Sequence, residues 1–463
     1  MAGAQGSGSG SRTVGEKVLS LLTEVRAGEG VGVLLLGLNS FLLLMSYYLL
    51  KTIREPLILT QGGAAVRAYS AAGQALLLLA IVPAYGMLAS RVSRIRLLTG
   101  VTLIFVANLL LFYAFGMAGA HEGVVFFLWV GIFNVFIVAL FWSFANDLYS
   151  ESHGKRLFPA IAVGGSLGSL VGAQAAAMIV GVTGPYPVML IAAGLLVVSI
   201  LISRVIHYRA AGAVHQAEPV SRGSEEPLAK TGALELLLGS RYLLLIALLV
   251  LLLNTVNNSG EFLLGKFVTA EAVRVAGSNV GLQEKIIGQF YGHYEVWYNS
   301  VALLLQMFAV SRIFRYAGVR AALFILPGLA MASYSLLLWM PLLPVIRWVK
   351  LLENGADYSV QNTTVHALFL PTSREAKYKA KAAIDTFFKR AGDVLEAGVV
   401  KVGSIFELGI KGFAVINLLL TLVWLGVAVG IAREHRRKTQ PGAEPQLPEA
   451  AVPATSAARP AGA

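Results

Sequence analysis

The sequence predicts an all-α integral membrane protein of about a dozen transmembrane helices, built as two six-helix halves. Three observations predict it. Of its 463 residues, 56% are hydrophobic and only 13% charged, where a soluble domain carries about 25% charged residues. Mean hydropathy is +0.71. Apolar runs long enough to cross a bilayer recur along the whole chain, separated by short loops. A soluble enzyme is excluded by this composition. The chain has no cysteine, which excludes disulfides, thiolate metal sites, iron–sulfur clusters and cysteine nucleophiles.

In order, residues 1–30 form a polar, Gly/Ser-rich tail, read as cytoplasmic, without a signal-peptide cleavage pattern. Six apolar runs follow at 31–50, 70–89, 97–118, 123–147, 157–181 and 186–206, making the N-terminal half, 31–206. Residues 207–240 are polar and charged and read as a cytoplasmic linker. A second six, at 241–263, 289–311, 320–339, 343–369, 380–409 and 411–432, make the C-terminal half, 241–432. Residues 433–463 are basic and then rich in Pro and Ala, a composition that buries no core and predicts a disordered cytoplasmic tail.

The net charge of +12 is distributed unevenly. Lys and Arg gather at Arg91, Arg94 and Arg96, at Lys155 and Arg156, across the linker, at Arg312, Arg315 and Arg320, and from Arg374 to Lys381. The loops near residues 120, 184 and 340 contain none. Basic loops stay in the cytoplasm, so both termini are predicted there, in what reads as a bacterial inner (plasma) membrane. The halves also repeat. Ser90-Arg91-x-x-Arg94 after span 2 returns as Ser311-Arg312-x-x-Arg315 after span 8, and the basic loop before span 5 returns before span 11. Two parallel halves joined by a cytoplasmic linker are the plan of major-facilitator-type transporters.

Charge inside a span costs roughly 2.5–3.5 kcal/mol on insertion scales, so it faces a cavity or a partner. Span 10 carries Arg347, Lys350, Asn354, Asp357, Tyr358 and Gln361 along one helical face. Span 11 carries Lys381, Asp385, Lys389, Gly392 and Glu396 on one face, which also fits a self-neutralising ion-pair ladder. Span 7 aligns Asn254, Asn257, Asn258 and Glu261, and span 1 ends in Lys51 and Arg54. Several basic side chains around one cavity suit a polyanionic small molecule, because Arg forks match phosphate oxygens and Lys supplies point charge. The competing reading is that they pair with Glu55, Glu261, Glu353, Asp357, Asp385 and Asp393 and latch the halves together.

Two motif matches are decoys. Gly164-Gly165-Ser166-Leu167-Gly168 fits G-x-S-x-G but sits inside an apolar span, without the strand–turn–helix context of a nucleophile elbow. Gly164, Gly168 and Gly172 recur every four residues, a small-residue stripe for helix packing. The pairs Gly154-Lys155 and Gly265-Lys266 lack the Ser or Thr of a Walker A loop. Nothing predicts a catalytic residue, a metal site, a cofactor or nucleic-acid binding.

The same residues resemble the non-mitochondrial ATP/ADP translocase family of plastids and obligate intracellular bacteria, over about residues 31–432. Tyr47-Tyr48-Leu49-Leu50-Lys51-Thr52-Ile53-Arg54-Glu55 is similar to the family's N-Y-T-I-L-R-D-T-K-D. FWSFAND at 141–147, containing Asn146, followed by Lys155-Arg156-x-Phe158-Pro159, resembles F-W-G-F-A-N and K-[KR]-F-Y-P. Glu261 with Lys266 resembles an E-x-x-x-K element, one residue longer here. Lys377-x-Lys379-x-Lys381-Ala382-Ala383-Ile384-Asp385 is similar to K-x-K-G-K-A-A-I-D, the most specific match. The chain departs at Val130 and Ser70, where the family has Glu and Lys, at Val365-His366, and at Asp393-Val394-Leu395-Glu396, where it has K-S-G-G. The resemblance implies an ATP/ADP-type exchanger working by alternating access, with substrate contacts drawn from Lys51, Arg54, Asn146, Lys155, Glu261, Arg347, Lys350, Asn354, Lys379, Lys381 and Asp385. Two alternatives stand beside it: a carrier of another anion, proton-coupled through Glu261, Asp357 or Asp385, and a transport-inactive membrane sensor. The sequence leaves the oligomeric state open.

Overall fold

A computed structural model describes residues 29–89, 92–149, 151–213, 233–373 and 376–439. The tails, most of the linker, Ser90, Arg91, and the side chains of Lys155 and Lys377 lie outside the described residues. Among the described residues every regular element is helical. In chain order they are α1 Gly30–Gln61, α2 Gly63–Ala89, α3 Arg94–Met117, α4 Gly123–Leu148, α5 Glu151–Thr183, α6 Tyr186–Ala213, the short α7 Ala233–Leu238, α8 Arg241–Ala276, α9 Val280–Leu304, α10 Val310–Tyr316, α11 Gly318–Ala322, α12 Ile325–Trp339, α13 Leu343–Ala356, α14 Asn362–Leu368, α15 Lys381–Ala383, α16 Lys389–Ile405 and α17 Ile410–Thr439. Helix thus continues past residue 206 to Ala213 and past residue 432 to Thr439.

By length and composition, nine helices among the described residues are apolar enough to cross a membrane. The remaining long stretches, 280–316, 343–368 and 376–405, are the ones interrupted by π-helical turns at Leu305–Ala309, Asp357–Gln361, Ala376–Ala380 and Ile384–Phe388. They also carry polar faces, as Gln283, Glu284, Lys285, Gln289 and Glu295 on α9 illustrate. Large apolar side chains stand exposed along the outer helix faces: Leu103, Ile104, Leu110 and Leu111 on α3, Val197, Val198 and Leu201 on α6, and Leu419, Leu422 and Val423 on α17. Exposed apolar surface of this extent needs lipid to cover it. The chain is an integral, multi-pass membrane protein.

Close helix packing sets the frame. The glycine stripe of α5 lies on the backbone of α1: a Cβ at Gly164, Gly168 or Gly172 would fall on the carbonyl oxygens of Gly37, Phe41 and Met45. The stripe is therefore a packing surface, as its spacing predicts. On its other side α5 receives α9, where a Cβ at Gly288 or Gly292 would strike Val180 and Ala177. Asn39 of α1 ties in α6, donating to Ser203 at 2.9 Å and accepting from Ser199 at 2.5 Å. Gly63 at φ +74° allows α2 to begin two residues after α1 ends, and Gly277 at φ +56° serves the α8–α9 turn. One apolar cluster gathers residues of α1 and α3–α6. A second gathers residues of α7–α9, α12–α14, α16 and α17 and takes in Ile58, Leu59, Ala64, Ala68 and Phe127 from α1, α2 and α4; a small third one joins Val310, Ala322 and Val360. The C-terminal end of α1 and the start of α2 are therefore buried against the second cluster.

Candidate functional site

Polar side chains concentrate where α1 and α2 meet α8, α9, α13 and α16. α1 brings Lys51 to α9. Its Nζ donates to the Tyr298 hydroxyl at 2.5 Å and pairs with Glu295 at 3.4 Å. The rings of Tyr48 and Tyr298 flank the same ammonium, with centroids at 4.9 and 5.2 Å, within cation–π range. Thr52 donates to the second Glu295 oxygen at 3.0 Å, and Tyr48 donates to Asn299 at 3.3 Å. Tyr298 stacks on Tyr358, with centroids 5.7 Å apart and planes 14° from parallel. Tyr358 is 54% exposed, and Lys51 keeps 16% of its side chain accessible. A cation and an aromatic face thus border the same space.

One turn further along α1 the charges close on themselves. Buried Glu55 accepts from Arg54 at 2.7 Å and from Arg67 of α2 at 2.5 Å. Both guanidinium groups sit on the Phe127 ring, at 4.3 and 5.9 Å. The triad holds two cations to one carboxylate, an excess of one positive charge.

The third cluster is built on α13. Lys350 is fully buried; it donates to Asn257 Oδ1 at 2.5 Å and the Asn257 carbonyl at 3.2 Å, and pairs with Glu353 at 3.0 Å and Glu261 at 3.9 Å. Asn354 donates to Glu261 at 2.9 Å and to the Tyr294 hydroxyl at 2.8 Å. Arg347 lies over the Phe290 ring at 5.4 Å. On the far side of α8, Asp393 of α16 accepts from Asn254, from Asn258 at 2.7 Å and from Arg390 at 3.3 Å.

The structure brings Glu261, Lys350 and Asn354 into direct contact and sets Lys51 and Arg54 on neighbouring turns. It separates the others. Lys381 pairs with Asp385 at 2.6 Å on a partly exposed helix surface, with Lys379 half-buried nearby in sequence. Asn146 is exposed at the end of α4. The predicted polar arc of span 10 is not one continuous face: the wide turn at Asp357–Gln361 shifts the register, leaving Lys350 and Asn354 buried and Tyr358 open. Sequence reading missed Glu295, Tyr294 and Tyr298. Their signal was present, because Tyr291, Tyr294, Glu295, Tyr298 and Asn299 recur at helical spacing in span 8. Arg67, one turn before Ser70, is the main partner of Glu55.

Residues 124–336 match the model of the TLC ATP/ADP transporter family. The matched stretch contains FWSFAND and the Glu261–Lys266 element. The resemblance to ATP/ADP translocases therefore holds across the middle of the chain. No curated protein sequence gives a significant match. Among solved structures, the chain is similar to the nucleoside transporter NupG, with TM-score 0.61 at 16% identity, covering 87% of this chain and 98% of that one. It is similar to a bacterial homologue of the iron transporter ferroportin in an inward-facing state, with TM-score 0.60 at 12% identity, covering 87% and 98%. It is also similar to a bacterial homologue of the human lysosomal transporter Spinster, inward-facing and unoccupied, with TM-score 0.57 at 13% identity, covering 91% and 100%. At these identities the likeness is one of fold. Family match and fold are those of membrane transporters.

Proposed function

We propose that the chain is a twelve-span, two-halved nucleotide transporter of the ATP/ADP-exchanging type, working by alternating access with both termini in the cytoplasm. The observation that carries this reading is Lys51, an ammonium set between the rings of Tyr48 and Tyr298 and beside the open face of Tyr358. A nucleotide joins a flat base to a phosphate group. Stacking on an aromatic face serves the base, and charge-assisted hydrogen bonds serve the phosphate. Lys51 is held by Glu295 when no anion is present, so an incoming phosphate replaces one anionic partner with another. The triad's surplus positive charge adds to the attraction. Lys379 and Lys381, on the side assigned to the cytoplasm, form a basic mouth.

A site that rearranges fully only around bound substrate favours exchange over net flow, because the return of the empty carrier must break the same ion pairs without compensation. The test is uptake of labelled ATP, ADP and other nucleotides into proteoliposomes holding the full-length protein, with and without internal nucleotide. Uptake that depends on internal nucleotide is expected. Uptake of no member of the panel overturns the reading.

A further inference from the structure

Among the described residues, one carboxylate within the long helices is fully buried with neither oxygen hydrogen-bonded. Glu396, midway along α16, is 1% exposed, and neither carboxylate oxygen has a hydrogen-bond partner. The charges acting on it are Arg67 of α2 and Asp393 on its own helix. Other titratable groups on its own helix are Lys389, Arg390 and the exposed Lys401. α8, packed along α16, carries Glu261 and Lys266, already engaged with Asn354 and with the Phe262 and Phe413 rings. α17, which meets α16 where Phe413 covers Gly403, carries Lys411 at its start. Arg67 is thus the one cation acting on Glu396, and Arg67 is bonded to Glu55 instead. An ionised carboxylate buried without a partner is very unfavourable.

We propose that Glu396 is a proton-binding site coupled to anion binding at the neighbouring Arg54–Glu55–Arg67 triad. This rests on the transport reading above and names its coupling ion. With the proton on Glu396, the triad keeps its surplus positive charge and attracts an anionic substrate. When the proton leaves to water, the Glu396 carboxylate competes for Arg67 and the surplus disappears. Proton and anion therefore favour each other's binding, and by linkage the effect is reciprocal. Only a proton moves, between solvent and a carboxylate oxygen. The consequence is proton–anion symport superimposed on exchange, through Glu396 instead of Glu261, Asp357 or Asp385: Glu261 and Asp385 have partners, and Asp357 is only half-buried.

The test uses the full-length protein and two readouts. Infrared difference titration detects the protonated carboxyl directly, without substrate. The expected result is a titrating carbonyl band in the wild type that is absent in Glu396→Gln. ATP binding measured in buffers of different ionisation enthalpy then counts protons. About one proton is expected to enter per ATP, with affinity falling about tenfold per pH unit above the titration midpoint, and both effects are expected to vanish in Glu396→Gln. Should Glu396→Gln fail to fold, Glu396→Asp serves, with a shifted band as the expected result. Absence of a band that responds to substitution at 396 overturns the proton site. A band with proton-independent ATP binding overturns the coupling. A band present without binding of any nucleotide overturns the nucleotide reading and leaves the proton site standing.

Discussion

Lys51 and Glu295, far apart in sequence on α1 and α9, form an ion pair at 3.4 Å between the helices of the two large apolar clusters. Thr52 secures the carboxylate from one side and Tyr298 receives the ammonium from the other. The pair is a structural bond and, in the proposed cycle, the bond that substrate breaks. Those two roles predict opposite effects from its two ends.

Glu295→Gln removes the carboxylate that competes with phosphate for Lys51, so ATP is expected to bind more tightly. Lys51→Gln removes a charge-assisted contact of about 1.5–3 kcal/mol and is expected to weaken ATP binding about ten- to a hundredfold. Titration calorimetry on both variants checks this. Parallel weakening would reduce the pair to a structural latch.

Lys350 is bonded entirely within the fold. It is wholly buried, with Glu353, Glu261 and the Asn257 oxygens as partners. Lys350→Met leaves the buried Glu353 carboxylate without its cation, and breaking a buried pair in this way costs about 3–5 kcal/mol. A clear loss of thermal stability is expected, partly restored by adding Glu353→Leu. Thermal unfolding of the single and double variants in detergent measures it.

Lys381 and Asp385 present the reverse case. Their side chains are 26% and 43% exposed, and an exposed pair contributes about 0–1 kcal/mol. Lys381→Gln should leave the melting temperature nearly unchanged while raising the KM for nucleotide uptake. A folding defect with unchanged KM in the surviving protein would place Lys381 outside the transport path.

Glu122 supplies a pH dependence outside the spans. It precedes α4, is 6% exposed, and has no partner for either carboxylate oxygen. Burial raises its carboxyl from 4.5 to about 7. The folded state therefore holds this proton where the unfolded chain has lost it. Stability from Glu122 is greatest below about pH 4.5, declines as pH rises toward 7, and changes no further above that. Glu122→Gln should make the fall in stability between pH 5 and about 7 less steep than in the wild type, read as melting temperature against pH.

The sequence by itself determined the membrane class, the apolar runs, the α5 glycine stripe, the family resemblance, and Lys51, Glu261, Lys350 and Asn354 as members of polar helix faces. These depend on local composition and helical period, which a single chain displays. Tertiary structure alone decided the partners. Glu55 has several cations within reach in sequence, yet Arg67, a turn into the next helix, bonds it at 2.5 Å because Gly63 folds α2 straight back from α1. The π turn at Asp357–Gln361 was equally illegible, since an extra residue in a helical turn leaves no mark in composition. It decides that Lys350 is sealed while Tyr358 opens beside Lys51. Burial without a partner, the property that singles out Glu396, is not a feature of any residue type. It arises only when α2, α8 and α16 pack around one carboxylate and direct every nearby donor elsewhere.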